Sequence, residues 1–427
     1  MSYDDITIDS LIEKGSFKWS AYPGTIGAWT AEMDFGVAPA IRATLEQLDA
    51  SDLYGYSTPA LIRDMAQATA QFYNDTYGWD VNPEWVSPVS DVLTGMQAVL
   101  SFYTEPGAKL VLPTPAYMPF LTMPKIHGRE IVEVPMLRNE FGSGDAKPTW
   151  TMDFEAIDRA LSTAGADGGS GGLLVLCNPH NPIGRVYTRG ELEELSRIVE
   201  KHGARVFSDE IHAPLTFTGH THVPYASVND VAANHTVTVT SHSKSFNTPG
   251  LKCAQIIFSN EADFAIWGTH GMFTGKSAAN PGLLAAVAAY RDSRDWLADT
   301  SAYLERNRDA LPGLLERHLP KAVYQPPEGT YLAWIDLSAY DLGDDLTSFF
   351  VDRARASIID GALCGEAGRG FIRLNMGTPL PILEEIVERL GAAVAGKPVA
   401  PVGSGAESAN SSEVTQAERV SAEEGSA

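Results

Sequence analysis

The chain has 427 residues, 44% hydrophobic and 20% charged, enough apolar material for two domains that share a large core. Its formal net charge of −23 excludes nucleic acid and an anionic membrane surface as partners, because both need a basic face to displace counterions. No apolar run approaches the ~20 residues of a spanning helix, and the polar, acidic stretch from Met1 to Ile12 does not read as a secretory signal.

In chain order, Leu61 to Tyr77 reads as an amphipathic helix, and Ser90 and Asp91, both good N-cap types, predict the start of another. Short apolar runs follow at Lys109 to Leu112, Ile131 to Val134, Gly172 to Cys177, Arg205 to Ser208, His235 to Thr240 and Cys253 to Phe258. Helix-like segments such as Arg189 to His202 separate several of them. Strands alternating with helices predict an α/β fold, with a mostly parallel sheet covered on both faces and ligands at the carboxyl ends of the strands. From Gly282 to Leu319 the pattern is helical with an interruption at Pro312. A strand (Thr330 to Leu337), a helix (Leu346 to Ala356), a strand (Phe371 to Met376) and a helix (Pro381 to Val394) predict a smaller α+β unit. The expected division is therefore a large domain over 49–284 and a small one over 285–395, joined by the N-terminal segment 1–48. The acidic remainder, 396–427, has no aromatic residue and reads as a disordered tail. Three scattered cysteines, Cys177, Cys253 and Cys364, read as small buried residues in a reducing cytoplasm rather than as disulfides or metal ligands.

Polar clusters fall at the ends of the predicted strands. Ser241-His242-Ser243-Lys244 ends in a lysine which, if partly desolvated, becomes an amine nucleophile. Its hydroxyls and the following Lys252 suit a phosphate. Taken alone, the cluster reads more readily as a solvated loop lysine. Asp209 ends another run and could hold a proton on a heterocyclic nitrogen, with His212 three residues on; an ordinary strand-end acid is the bland alternative. Two Asn-Pro pairs in Asn178–Gly184 make an elaborate rigid turn that places Asn181 as a donor. Tyr117 follows a strand and could stack on a planar ring, or simply be core. Arg373, among apolar neighbours, could grip a carboxylate through two parallel hydrogen bonds, or serve a structural ion pair. His220-Thr221-His222 lacks a third ligand and reads as a surface loop, so no metal is expected.

In order and spacing, Tyr117, Asn181, Asp209, Lys244 and Arg373 resemble the class I/II aminotransferase-like (fold type I) pyridoxal-phosphate enzymes. The resemblance covers all but the tail. It narrows to the MalY/PatB-type C–S β-lyases through His212 and Lys252, where many relatives have tyrosine and arginine, and through several strings. These are Trp29-Thr30-Ala31-Glu32-Met33-Asp34-Phe35, Ser208-Asp209-Glu210-Ile211-His212, Ser243-Lys244-Ser245-Phe246-Asn247 and Thr330-Tyr331-Leu332-Ala333-Trp334.

The resemblance implies that Lys244 carries pyridoxal 5′-phosphate as a Schiff base and acts as catalytic base. It implies that Asp209 pairs with the pyridine nitrogen, Asn181 and His212 face the ring oxygen, and Tyr117 stacks on the ring. Ser90, Asp91, Ser241, Ser243 and Lys252 would surround the phosphate, joined by Tyr56 from the neighbouring subunit of a homodimer. Arg373, Asp34, Tyr117 and Asn181 would face the substrate. The implied activity is cleavage of L-cystathionine, or a related cysteine S-conjugate, to a thiol, pyruvate and ammonia in the cytoplasm. An aminotransferase with the same cofactor residues is the alternative, and an amino-acid-sensing regulator ranks below both.

Overall fold

The computed structural model describes residues 3–139 and 150–403. Continuous apolar or β-branched runs can be buried on both faces, and here they build one seven-stranded sheet. Its strands are β1 (Val86–Val89), β2 (Leu110–Thr114), β3 (Ile131–Pro135), β4 (Leu173–Cys177), β5 (Arg205–Asp209), β6 (Thr236–Thr240) and β7 (Ala254–Phe258). The spatial order is β1-β7-β6-β5-β4-β2-β3. β7 runs antiparallel to both its neighbours, while the other pairs are parallel.

That topology fixes where chemistry can occur. The parallel strands all finish at one edge of the sheet, and β7 begins there. Residues after β1, β2, β4, β5 and β6, together with those before β7, therefore share one edge. Helices cover the faces and are capped by their own sequence. Asp91 accepts from the Thr94 amide at 2.8 Å to start Val92–Phe102. Thr188 and Glu191 form a capping box ahead of Arg189–Lys201.

A second sheet is antiparallel, with β8 (Val323–Tyr324), β9 (Leu332–Asp336), β10 (Ile359–Asp360) and β11 (Phe371–Asn375) in the order β8-β9-β11-β10. Trp334 of β9 and Ile359 of β10 flank Arg373 in register. The N-terminal segment joins this unit, since Ile26–Gly27 pairs in parallel with Ala356–Ser357. One apolar cluster runs through Trp19, Ile26, Met65, Leu304, Ile335, Ile372 and Leu383, so the two units share a core.

Two expectations need correction. The break between positions 282 and 319 falls at Ser293, which separates Asn280–Asp292 from Arg294–His318 with φ −124° and ψ 16°. Pro312 sits inside the second helix instead. A proline removes one backbone hydrogen bond, but Leu304, Leu311, Leu314 and Leu315 anchor that helix in the core on both sides of it. Residues 396–403, expected in the tail, run back to the N-terminal segment, where the Val402 amide donates to the Gly24 carbonyl at 3.2 Å. The rest of the expected tail lies outside the described residues. All three cysteines are free and buried. Among the described residues, no helix is long and apolar enough to cross a membrane.

Candidate active site

Asp209 is the last residue of β5 and is almost wholly buried. Burial pushes its carboxyl up to about 7, against the opposing pull of the Ile211 amide, the Cys177 thiol and the Lys244 ammonium. Its Oδ1 accepts from Ile211 at 3.1 Å, and the Cys177 sulfur lies 3.7 Å from Oδ2. The carboxylate is thus held in position but short of a cation. Three residues on, His212 is buried, and burial followed by the charges of Lys244 and Arg373 lowers it to about 3. It is a neutral imidazole whose Nδ1 has no hydrogen-bond partner among the described residues.

Lys244 lies in the short helical turn His242–Ser245 that follows β6. Ser241 caps that turn, accepting from the Ser243 amide at 3.0 Å and donating to the Cys253 carbonyl at 2.8 Å. Its hydroxyl therefore fastens the lysine loop to the start of β7, which qualifies its expected place on a phosphate. Ser243 remains half-buried at the rim. Across the edge, Lys252 reaches Asp91 Oδ2 at 3.5 Å, and Ser90 Oγ lies 2.7 Å from Thr94 Oγ1. Ser90, Asp91 and Lys252 thus cluster at the N-terminus of Val92–Phe102, where backbone amides favour an anion. Asp91 is the helix cap and the counter-ion of Lys252.

Arg373 is buried on β11 and reaches across to the large sheet. Its Nη1 donates to Asn181 Oδ1 at 3.3 Å and its Nη2 to the Trp29 carbonyl at 3.0 Å. Asn181 follows β4 in a turn with cis peptide bonds at Asn178–Pro179 and Asn181–Pro182. Beside it, His180 bridges two loops, with Nε2 2.8 Å from the Pro115 carbonyl and Nδ1 2.8 Å from the Tyr187 hydroxyl. This ties the Asn181 turn to the loop carrying Tyr117, whose ring packs edge-on against Phe120.

The N-terminal residues 29–36 cross the site as a strap. Lys244 Nζ donates to the Ala31 carbonyl at 3.2 Å, and the Tyr331 hydroxyl donates to the same oxygen at 2.8 Å. Asn247 holds Met33 and Gly36, and Asn375 holds Thr30 and Glu32. Three strings separated in sequence, around Ala31, Asn247 and Tyr331, therefore meet at one place. Their roles on the strap were not foreseen; the strings themselves were the available signal.

Two residues sit differently from expectation. Asp34, expected to face a substrate, is held instead in a buried tie, with Lys18 Nζ and Trp19 Nε1 each taking one of its oxygens at 2.8 Å. His222 is not on the surface but buried, with Nε2 3.2 Å from Glu210 Oε2. The discounting of a metal there stands apart from this, and no group of three or more metal-ligating side chains occurs among the described residues. Tyr56 is fully exposed and joins no cluster on its own chain; it lines a cavity of about 1090 Å³ with Tyr54, Arg63 and Asn280.

These residues fit a flat, phosphorylated heterocycle. Among the described residues no cation pairs directly with Asp209 and the His212 Nδ1 has no hydrogen-bond partner, an amine stands at Lys244, and a helix N-terminus with Lys252 provides an anion site. The sequence profile of the aminotransferase class I and II family matches residues 30–390. The chain belongs to this family. Within it, the chain is 35% identical over 387 residues to cystathionine beta-lyase of Corynebacterium glutamicum, covering 90% of this chain and 98% of that one. It is 33% identical to cystathionine beta-lyase PatB of Bacillus subtilis, over 86% of this chain and 92% of the relative. Among solved structures, cystalysin of Treponema denticola, which contains a pyridoxal 5′-phosphate cofactor, superposes with a TM-score of 0.84 at 27% identity. That match covers 93% of this chain and 100% of cystalysin.

Proposed function

We propose that the protein is a pyridoxal-phosphate-dependent carbon–sulfur β-lyase that cleaves L-cystathionine or a related cysteine S-conjugate. The observation that carries the lyase reading is the 35% and 33% identity to the two cystathionine beta-lyases; the cofactor is supported by Asp209, a buried carboxylate at a strand end raised to about 7 within the electrostatic reach of Lys244. Such a group gains most from a protonated ring nitrogen, which would restore its charged form.

When bound, pyridoxal phosphate supplies an electron sink for the pair left when the substrate Cα loses its proton. Asp209 would hold the ring-nitrogen proton, Lys252 and the amides of Val92–Phe102 the phosphate, and the Asn181 amide and His212 the ring oxygen. Tyr117 would cover the ring face. Arg373 grips the substrate α-carboxylate by charge-assisted hydrogen bonds, and Lys244 is the base at Cα. As the C–S bond breaks, its electron pair leaves with sulfur, and the proton on Lys244 is available to the thiolate. With cystathionine the thiol is homocysteine, and pyruvate and ammonia follow on hydrolysis, a chemistry suited to methionine synthesis. The working unit is a homodimer, supported by Tyr56, an aromatic side chain left fully exposed beside a large cavity. Free, buried cysteines suit a reducing cytoplasm.

The test is to mix cofactor-loaded protein with L-cystathionine in the absence of keto acid and to assay thiol and pyruvate together. Sustained equal release establishes elimination. Absence of pyruvate, with conversion of an added keto acid to an amino acid, would make the protein an aminotransferase.

A further inference from the structure

The proton that Lys244 removes from Cα has two destinations. Given to sulfur as the C–S bond breaks and the bonding pair departs on sulfur, it completes elimination. Given to the cofactor's carbon instead, it leads to transamination and leaves the β-thioether intact. Lys244 is common to both, so what holds its amine decides between them.

In this structure the Ala31 carbonyl holds it, an oxygen that Lys244 Nζ shares with the Tyr331 hydroxyl at 3.2 Å and 2.8 Å, among the contacts that position the amine. Tyr331 is fully buried, on the turn leading into β9, and its ring stands edge-on to His212. The strap that carries Ala31 also carries the Trp29 carbonyl bound by Arg373. The amine is thereby held on the side of the site where Arg373 grips a carboxylate. The flanking carbonyls of Thr30 and Glu32 are fixed by Asn375 at 2.6 Å and 2.7 Å.

We infer that Tyr331 is a positioning residue that sets the partition between elimination and transamination, by fixing the carbonyl at which the protonated Lys244 rests. The inference builds on the lyase reading above. In Tyr331→Phe the carbonyl loses the hydroxyl that fixes it, and Lys244 samples positions nearer the cofactor carbon.

The experiment counts eliminations (thiol and pyruvate) per conversion of cofactor to its pyridoxamine form, read by absorbance, in wild type and Tyr331→Phe. The expected result is a ratio lowered by about tenfold or more, with KM changed less than about twofold. Cofactor affinity, measured by titrating apoprotein, should be unchanged, since Tyr331 holds the strap and not the cofactor residues. An unchanged ratio, or a parallel loss of both reactions together with cofactor affinity, would overturn the inference and leave Tyr331 a structural residue. Asn375→Ser provides a second route should Tyr331→Phe not fold; it loosens the same strap and should move the ratio in the same direction. A wild type that releases no pyruvate would instead overturn the lyase reading itself.

Discussion

Arg373 donates to the side-chain oxygen of Asn181 at 3.3 Å, joining a strand of the smaller sheet to a turn at the edge of the large one, 192 positions away in sequence. The bond orients the amide: its oxygen faces the guanidinium, so its NH2 is the group turned to other partners. On the proposed reading, Asn181 would donate toward the ring oxygen while its acceptor side helps to hold Arg373 for a carboxylate. Asn181→Asp should place a carboxylate against Arg373 in competition with the substrate's own. We expect KM for cystathionine to rise about 10- to 100-fold, a loss of about 1.4–2.8 kcal/mol in binding. Steady-state kinetics checks this, and an unchanged KM would separate Arg373 from carboxylate binding.

Asp209 imposes a pH-dependent cost on the apoprotein. Its folded-state value of about 7 exceeds the ordinary 3.8, so between those values the folded chain holds a proton that the unfolded chain has lost. Its destabilising effect therefore grows from pH 4 upward and is complete above pH 7. Asp209→Asn should make the apoprotein more stable at pH 8 by about 2–4 kcal/mol, and change it little at pH 4. The same variant should lose most lyase activity. Denaturant melts of the two apoproteins at both pH values decide the matter.

The buried histidines act with the opposite sign. His180, His235 and His242 are lowered to about 4 and His212 to about 3, all from 6.5 and all chiefly by burial. Between those values the unfolded chain binds protons that the folded chain refuses, so stability falls as pH drops from 6.5 toward 4. Four such groups outweigh the single opposing contribution of Asp209. The thermal midpoint should therefore decline steadily through this window, with a shallower decline in His235→Gln. A flat profile from pH 6.5 to 4.5 would contradict the assignment of neutral histidines.

Asp34→Asn tests the correction made at that residue. Its partner Lys18 is wholly buried, and removing one member of a buried pair leaves an uncompensated charge. The expected cost is about 3–5 kcal/mol of stability. In the fraction that remains folded, KM should stay near wild type, because Asp34 is spent on Lys18 and Trp19. A large KM effect without destabilisation would return it to the substrate side.

The large sheet was legible because strands buried on both faces must read as apolar runs, and six of them did. The chemistry at their ends was legible for a related reason: a lysine, an acid or an Asn-Pro turn stands out directly after such a run. What escaped was governed by distant partners. His222 looks exposed between Gly219 and Pro224, and only the fold brings Glu210 to it. Asp34 looks like a site acid until Lys18 arrives from an earlier helix. Pro312 signals a break in any local reading, yet the leucines around it hold the helix together. Nothing local marks the Ala31 carbonyl, since any residue supplies one.

The strap has a mechanical consequence. It is fastened by Arg373, Tyr331 and Asn375 from the smaller unit and by Lys244 and Asn247 from the larger. Neither unit can shift against the other without pulling on it. If Arg373 moves as it takes a carboxylate, the Trp29 carbonyl and two residues of backbone would carry that movement to the oxygen at which the lysine rests. The strap is built as a tie rod, through which seating one end of a substrate at Arg373 would be felt at Lys244.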